Sequence, residues 1–273
     1  MTEQADELVR ERYGSAVSDA VAVDPHGIVE RLLAHTSVRA FADEPVDDAT
    51  LRTLVAAAQS ASSSSHQQTW SVVAVRDPDR IRELVERGRM SPFAASAPML
   101  LVFVADWARA ADVAAAEGEP AEAVDYLEST LVAFVDAGIA AQNAVVAAEA
   151  LGLGACYLGS LRNDLEAVAD VLGLPPRTVG VLALALGTPA SDRRRALKPR
   201  LPQRVVLHEE RYRPVDVDEV RAYSGRMDAF SEALGRPQAP WIQTQIARVR
   251  DVAGLHGRER MRAWLEARGL PSR

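Results

Sequence analysis

The chain has almost no cysteine. Cys156 is the only thiol in 273 residues, so neither an intrachain disulfide nor a multi-thiolate zinc site can be built, and a reducing compartment fits. Histidine is sparse too. His26, His35, His66, His208 and His256 are scattered, without HExxH spacing, and no metal site is expected. The longest clean apolar run, APMLLVFVA at 97–105, stops at Asp106 and is far too short to span a bilayer. Positive charge is lacking overall. A net charge of -7 and a pI near 5.4 leave no global field for nucleic acid or anionic lipid. The first residues, MTEQADELVRERYG, hold no apolar signal core. These absences predict a cytoplasmic protein with neither a nucleic-acid nor a membrane partner.

Dinucleotide and nucleotide loops are missing as well. GLGACYLGS at 152–160 fails GxGxxG because position 157 is Tyr. It also follows a helical pattern and leads into a strand, the reverse of the required context. Gly154 and Gly159 have the Walker spacing, but Ser160 stands where Lys must be. The simpler reading of Gly152 and Gly154 is a helix C-cap. No catalytic triad or carboxylate pair is visible.

What is present is ordinary globular composition, 48% apolar and 25% charged. Behind a capping Asp in the pair Asp47-Asp48, LRTLVAAAQSA has helical spacing. WSVVAV reads as a strand, closed by Asp77-Pro78, where PDRIRELVERG begins a helix. MLLVFVAD is a second strand. From about Asp125 to Leu151 runs a helix apolar on nearly every side, which belongs in a core or between subunits. ACYLGS is a third strand, NDLEAVADVLGL a helix capped by Asn163, and VGVLALALG a fourth strand. Strands and helices without strict alternation favour α+β over a doubly wound sheet. Residues 191–213 hold eight Lys/Arg against three Asp/Glu, a basic island in an acidic chain. Further helices follow, in DVDEVRAYSGRMDAFSEALG, WIQTQIARVRD and RERMRAWLEARG.

Three segments have a common chemistry. HTSVRAF at 35–41 offers an imidazole, a hydroxyl and a guanidinium within five residues. SSSSHQQ, at a helix-to-strand junction, offers hydroxyls and amides. LKPRLP at 197–202 sets Lys198 and Arg200 around a stiff Pro199. Lys and Arg suit a phosphate, hydroxyls a ribityl-like chain, amides the edge of a heterocycle. Each segment alone is more often solvated surface. Together, each at an element boundary, they describe a site for a phosphorylated, polyhydroxylated heterocycle without a Rossmann fold. FMN is that molecule.

The segments HTSVRAFADEPVDDATL, SSSSHQQTWSVV, AAQNAVVAAEALGLGACYLGSLRND and LKPRLP resemble the FMN-dependent nitroreductase superfamily. The nearest branch is the group A oxygen-insensitive NADPH nitroreductases and related NADPH–FMN reductases. The resemblance runs in order from about residue 27 to the C-terminus. It implies an α+β subunit with a central, mostly antiparallel sheet flanked by helices, in an intertwined homodimer with C-terminal strand exchange. It divides the chain into an N-terminal extension (1–26), an FMN-binding core (27–202) and a C-terminal extension (203–273) that wraps the partner and contributes to the nicotinamide nucleotide site. By resemblance, His35, Thr36, Ser37 and Arg39 contact the phosphate, ribityl chain and flavin N1–O2 edge, Arg39 tuning the ring. Ser63, Ser65 and Gln68 approach the flavin, partly from the other subunit. Tyr157, Leu158, Gly159 and Ser160 present backbone groups near N5, and Lys198 and Arg200 hold the phosphate. Arg236 and Arg258 would serve NADPH.

The implied reaction is two-electron, ping-pong hydride transfer. NADPH or NADH is the donor, and nitroaromatics, quinones or flavins are the small-molecule acceptors. Two alternatives are a dedicated reductase supplying reduced FMN to a monooxygenase and a non-enzymatic flavin-binding protein. The chain departs from the family pattern at Thr36, usually Arg; at Ser160, usually Gly; and at Ser91, where many relatives have Gln. The linker arginines are reduced to Arg236.

Overall fold

The strand Met99–Asp106 buries every residue but its last, and this two-sided burial organises the sheet. The computed structural model describes residues 3–13, 27–190 and 196–273. Most of the predicted extension (1–2 and 14–26) and the start of the basic island (191–195) lie outside the described residues. In chain order the elements are α1 (Glu3–Tyr13), α2 (Ile28–Leu33), α3 (Asp48–Gln59), β1 (Trp70–Val75), α4 (Pro78–Arg87), β2 (Met99–Asp106), α5 (Ala108–Ala116), α6 (Leu127–Ala150), β3 (Gly154–Leu158), α7 (Leu165–Leu172), β4 (Thr178–Gly187), α8 (Gln203–Val206), α9 (Val217–Ala233), α10 (Trp241–Val249) and α11 (Met261–Ala267). They fall into two units. A sheet unit comprises 37–193 and 256–273; a helical unit comprises 1–36 and 194–255. These cuts differ from the boundaries at 26 and 202 drawn from sequence, because α1 and α2 group with the segment that follows residue 193.

The sheet has the order β1-β2-β4-β3, with every neighbouring pair antiparallel. Met99, Leu101, Phe103 and Ala105 of β2 pack in one core with α3 and α6, while Leu100, Val102 and Val104 pack in another with α4 and α7. Coverage on both faces is why β2 reads as a continuous apolar run rather than an alternating one.

The long helix α6 has two faces. Ala133, Ala137, Ala140, Ala141, Ala144 and Ala148 are wholly buried, packed with the sheet and with Leu54 and Ala58 of α3. Methyl-sized side chains let the helix lie close to both. On the other side Leu127, Leu131, Val135 and Ile139, four residues apart, stay exposed, Val135 by 58%. By length and composition α6 could cross a membrane; here its alanine face is taken up by the core.

A strap, residues 38–42, runs along the sheet. Val38 N–H donates to Ala155 O at 2.9 Å, Ala42 N–H to Thr188 O at 2.8 Å, and Phe41 bridges to Pro189. This corrects the reading of the GLG stretch. Gly152 does end α6, with φ of 82°. Gly154 is instead the first residue of β3, and a Cβ there would stand 2.5 Å from a Val38 methyl. Two other boundaries also shift. The third strand stops at Leu158, and 159–163 form a 3-10 turn. The cap of α7 is Asp164, whose carboxylate accepts the Ala167 N–H at 3.1 Å. Asn163, the predicted cap, is occupied elsewhere: it donates to Arg89 O at 2.8 Å and accepts from Arg258 Nε at 2.9 Å.

Among the described residues no strand follows β4. The C-terminal stretch places Trp264, Leu265 and Leu270 in the sheet unit's core. Arg273 N–H donates to Asp125 O at 2.9 Å, and Leu127 N–H donates to Arg273 O at 3.2 Å.

Gly154→Ala should lower stability by about 1–3 kcal/mol, the usual range for an overpacked core site, read as a lower denaturation midpoint at unchanged slope. A neutral or stabilising result would show that the strap does not need the glycine.

Candidate functional site

In the helical unit, the LKPRL segment alternates. Leu197 and Pro199 are buried, while Lys198 and Arg200 are exposed. In extended backbone that alternation sets both cations on one face. The Tyr223 hydroxyl fixes the segment, donating to Pro199 O at 3.1 Å. Arg12 of α1 was not anticipated. It is 3% exposed, and its guanidinium donates to Leu33 O and His35 O. Its own carbonyl accepts the Arg200 N–H at 3.0 Å. One buried arginine therefore ties His35 and Thr36 to the Lys198–Arg200 segment. Arg236 lies beyond α9 in the same unit and is exposed.

In the sheet unit, the strap brings Ser37 and Arg39 alongside β3. The Arg39 guanidinium sits 5.9 Å from the centre of the Phe93 ring, within cation–π reach. Two residues before Phe93, the Ser91 N–H donates to Ser160 Oγ at 3.0 Å, and the two hydroxyls are 3.2 Å apart. The two departures from the family pattern at 91 and 160 thus partner each other. The Ser160 hydroxyl is held by the 91–93 turn.

The Tyr157 hydroxyl donates to Gln142 Oε1 at 3.1 Å. Burial, and then the negative charge of Glu149, push its phenol pKa up to about 12. Arg258 reaches the same neighbourhood through Asn163. Its charge adds to burial in lowering the pKa of Arg162 below the ordinary guanidinium value. The turn at 159–163 therefore carries two close guanidinium groups.

The serine loop enters β1. Ser63 Oγ accepts the Gln68 N–H at 3.3 Å, and Ser65 and Gln68 are exposed. Ser65, His66 and Gln68 have φ of 48°, 58° and 53°, three left-handed residues without a glycine among them. Asp136 of α6, a second residue the sequence reading missed, accepts the Ser64 N–H at 3.1 Å and the Thr69 hydroxyl at 3.0 Å.

Within the sheet unit, the serine loop and the Tyr157–Ser160 stretch lie at opposite edges of the sheet. The serine loop precedes β1, at one edge of the sheet, while Tyr157 and Leu158 end β3 at the other edge and Gly159 and Ser160 follow it. Three interstrand gaps, about 14 Å, lie between those edges.

The sequence model of the nitroreductase family matches residues 32–188, and that of the nitroreductase family C-terminal domain matches 198–273. The chain is 35% identical over 247 residues to the NADPH-flavin oxidoreductase of Vibrio harveyi, covering 90% of this chain and 98% of that protein. It is 39% identical over 194 residues to the FMN reductase (NADPH) of Bacillus subtilis, covering 71% and 77%. The solved structure of NfrA1 from B. megaterium superposes with a TM-score of 0.83 at 34% identity, covering 90% of this chain and all of that one.

The raised Tyr157 pKa sets an alkaline signature. A free tyrosine ionises near pH 10, and the folded value is the higher one. The stability that follows from keeping the phenol neutral is whole below about pH 10 and is lost as pH rises toward 12. Tyr157→Phe should fall less steeply than wild type over that window in stability-versus-pH measurements. Equal slopes would mean the phenol is not shielded.

Proposed function

The chain belongs to the nitroreductase family, and from that premise we propose that it is an FMN-dependent NAD(P)H oxidoreductase. Its acceptors are nitroaromatics, quinones or free flavins. The observation that carries the cofactor assignment is the outward pair Lys198 and Arg200, tied through Arg12 to His35. A point charge, a planar fork and an imidazole are the donor set a phosphate monoester takes. The residues present therefore fit the phosphate end of FMN. Thr36 leaves that end with one cation fewer than the family pattern, and Arg200 correspondingly more important.

The chemistry that bound FMN supplies is two-electron hydride transfer, from NADPH or NADH and then to the acceptor. The chain's own residues bind and tune. Ser37 and Arg39 would take the ribityl chain and the N1–O2 edge, where a fixed guanidinium favours developing negative charge. Backbone groups of Tyr157, Leu158, Gly159 and Ser160 would face the N5 side. Arg258 and Arg236 would meet the nucleotide donor. No side chain is assigned as acid, base or nucleophile.

Ser63, Ser65 and Gln68 sit at the opposite sheet edge, which favours their serving the site of a second subunit. We accordingly propose a cytoplasmic homodimer built on the exposed stripe of α6, with the C-terminal extension reaching the partner. Burying a Leu, Val or Ile side chain contributes about 1.5–3 kcal/mol, and four such side chains line the stripe.

Two tests follow. Purified protein should bind about one FMN per chain, and Arg200→Ala should weaken FMN by about 1.5–3 kcal/mol, the loss of a hydrogen bond to a charged group. Protein that takes up no FMN, or an unchanged Kd in the variant, would contradict the assignment. Val135→Glu should convert the dimer to monomer in sedimentation and abolish FMN retention together. A flavin-loaded monomer would refute the shared site.

A further inference from the structure

We propose that Asp136 is the positioning residue of the serine loop: its buried carboxylate holds residues 63–69 in the strained conformation that presents Ser63, Ser65 and Gln68. The role rests on the flavin reading above.

Three left-handed non-glycine residues in a four-residue stretch are costly, because a Cβ crowds the backbone at positive φ. Such backbone persists only where its surroundings over-determine it. Asp136 supplies that determination. It is 2% exposed, and it is the one polar side chain between Leu131 and Ala141 of α6. One carboxylate oxygen accepts the Ser64 N–H at the loop's entry, and the other accepts the Thr69 hydroxyl at its exit. The loop is clamped at both ends by one residue 67 to 72 positions away in sequence. A second tie closes the exit. Arg109 of α5 donates to Gln68 O and, at 3.3 Å, to Trp70 O. Asp106 N–H donates to Thr69 O at 2.9 Å.

A buried carboxylate without partners is strongly disfavoured. The clamp therefore works in both directions: the loop satisfies Asp136, and Asp136 fixes the loop. Val135, next to Asp136, belongs to the exposed stripe of α6. The helix that would meet the second subunit thus also sets the loop that would serve the second subunit's flavin.

The test measures two things on the full-length protein. Hydrogen–deuterium exchange on FMN-free samples reads the clamp itself; FMN titration reads its consequence. Asp136→Ala should speed exchange selectively in 63–69 and raise the FMN Kd about 10- to 100-fold, the range for losing charge-assisted hydrogen bonds. Asp136→Asn should stay within a few-fold of wild type. Its amide oxygen still accepts from Ser64, and its NH2 can donate to a rotated Thr69 hydroxyl. Adding His66→Gly to Asp136→Ala should recover part of the affinity, because glycine adopts positive φ without steric cost. A merely structural role would not respond to that change. If Asp136→Ala does not fold, Thr69→Val removes one arm of the clamp with little change of shape, and the same two readouts apply. Unchanged exchange in 63–69 overturns the clamp. Faster exchange with unchanged FMN affinity overturns the positioning role, while leaving the flavin assignment standing. Wild-type protein that binds no FMN overturns the assignment itself and this role with it.

Discussion

The close contact between the alanine face of α6 and the sheet is the constraint on which the rest of the sheet unit depends. Six alanines at zero exposure bring the helix down onto β2, β4 and α3. Only because the helix lies that close can its polar side chains reach the elements around it. Asp136 reaches the serine loop, Gln142 accepts from Tyr157, and Asn143 donates to Ala57 O of α3 at 3.1 Å. Larger side chains on that face would lift the helix and break all three links at once. The same helix leaves Leu127, Leu131, Val135 and Ile139 outward, so that its packed face and its exposed apolar stripe are two sides of one element.

Positive charge is rationed in this acidic chain and placed by buried bonds. Arg12 spends its guanidinium on two main-chain carbonyls and its carbonyl on Arg200, so it acts as a brace rather than a free charge. Lys198 and Arg200 are the exposed cations that result. At the other cluster, Arg39 lies over Phe93, and Arg258 is oriented by Asn163. The Ser91–Ser160 pair shows how two departures from a family pattern can be mutually compensating. The Ser91 N–H and hydroxyl both meet the Ser160 hydroxyl, so the two side chains satisfy each other locally.

Much of this was legible in the sequence. The four strands, a capping Asp ahead of α3, the helix start at Asp77-Pro78, the long apolar helix and the α+β class all follow from periodicity and turn chemistry, and the structure has them. The motif segments stood out because each sits at an element boundary. What escaped was non-local. Gly154 reads as a C-cap because its neighbour Gly152 is one, and only the approach of Val38 explains it. Asn163 and Asp164 are equally good caps on paper; the choice falls to Asp164 because Arg258, 95 residues away, occupies Asn163. Nothing in the sequence singled out Asp136 or Arg12, since burial of a polar side chain has no local sequence signature. The strained loop was equally hidden: SSSSHQQ lacks the glycines that usually announce positive φ.

The central claim is that this chain binds FMN and reduces it with a nicotinamide nucleotide. Anaerobic mixing of FMN-loaded protein with NADPH or NADH tests it most directly. The expected result is rapid loss of the visible flavin absorbance at one nucleotide per flavin, followed by full recovery on adding a quinone or nitroaromatic. Bound flavin whose absorbance neither nucleotide changes would contradict the claim and leave a flavin-binding protein without turnover.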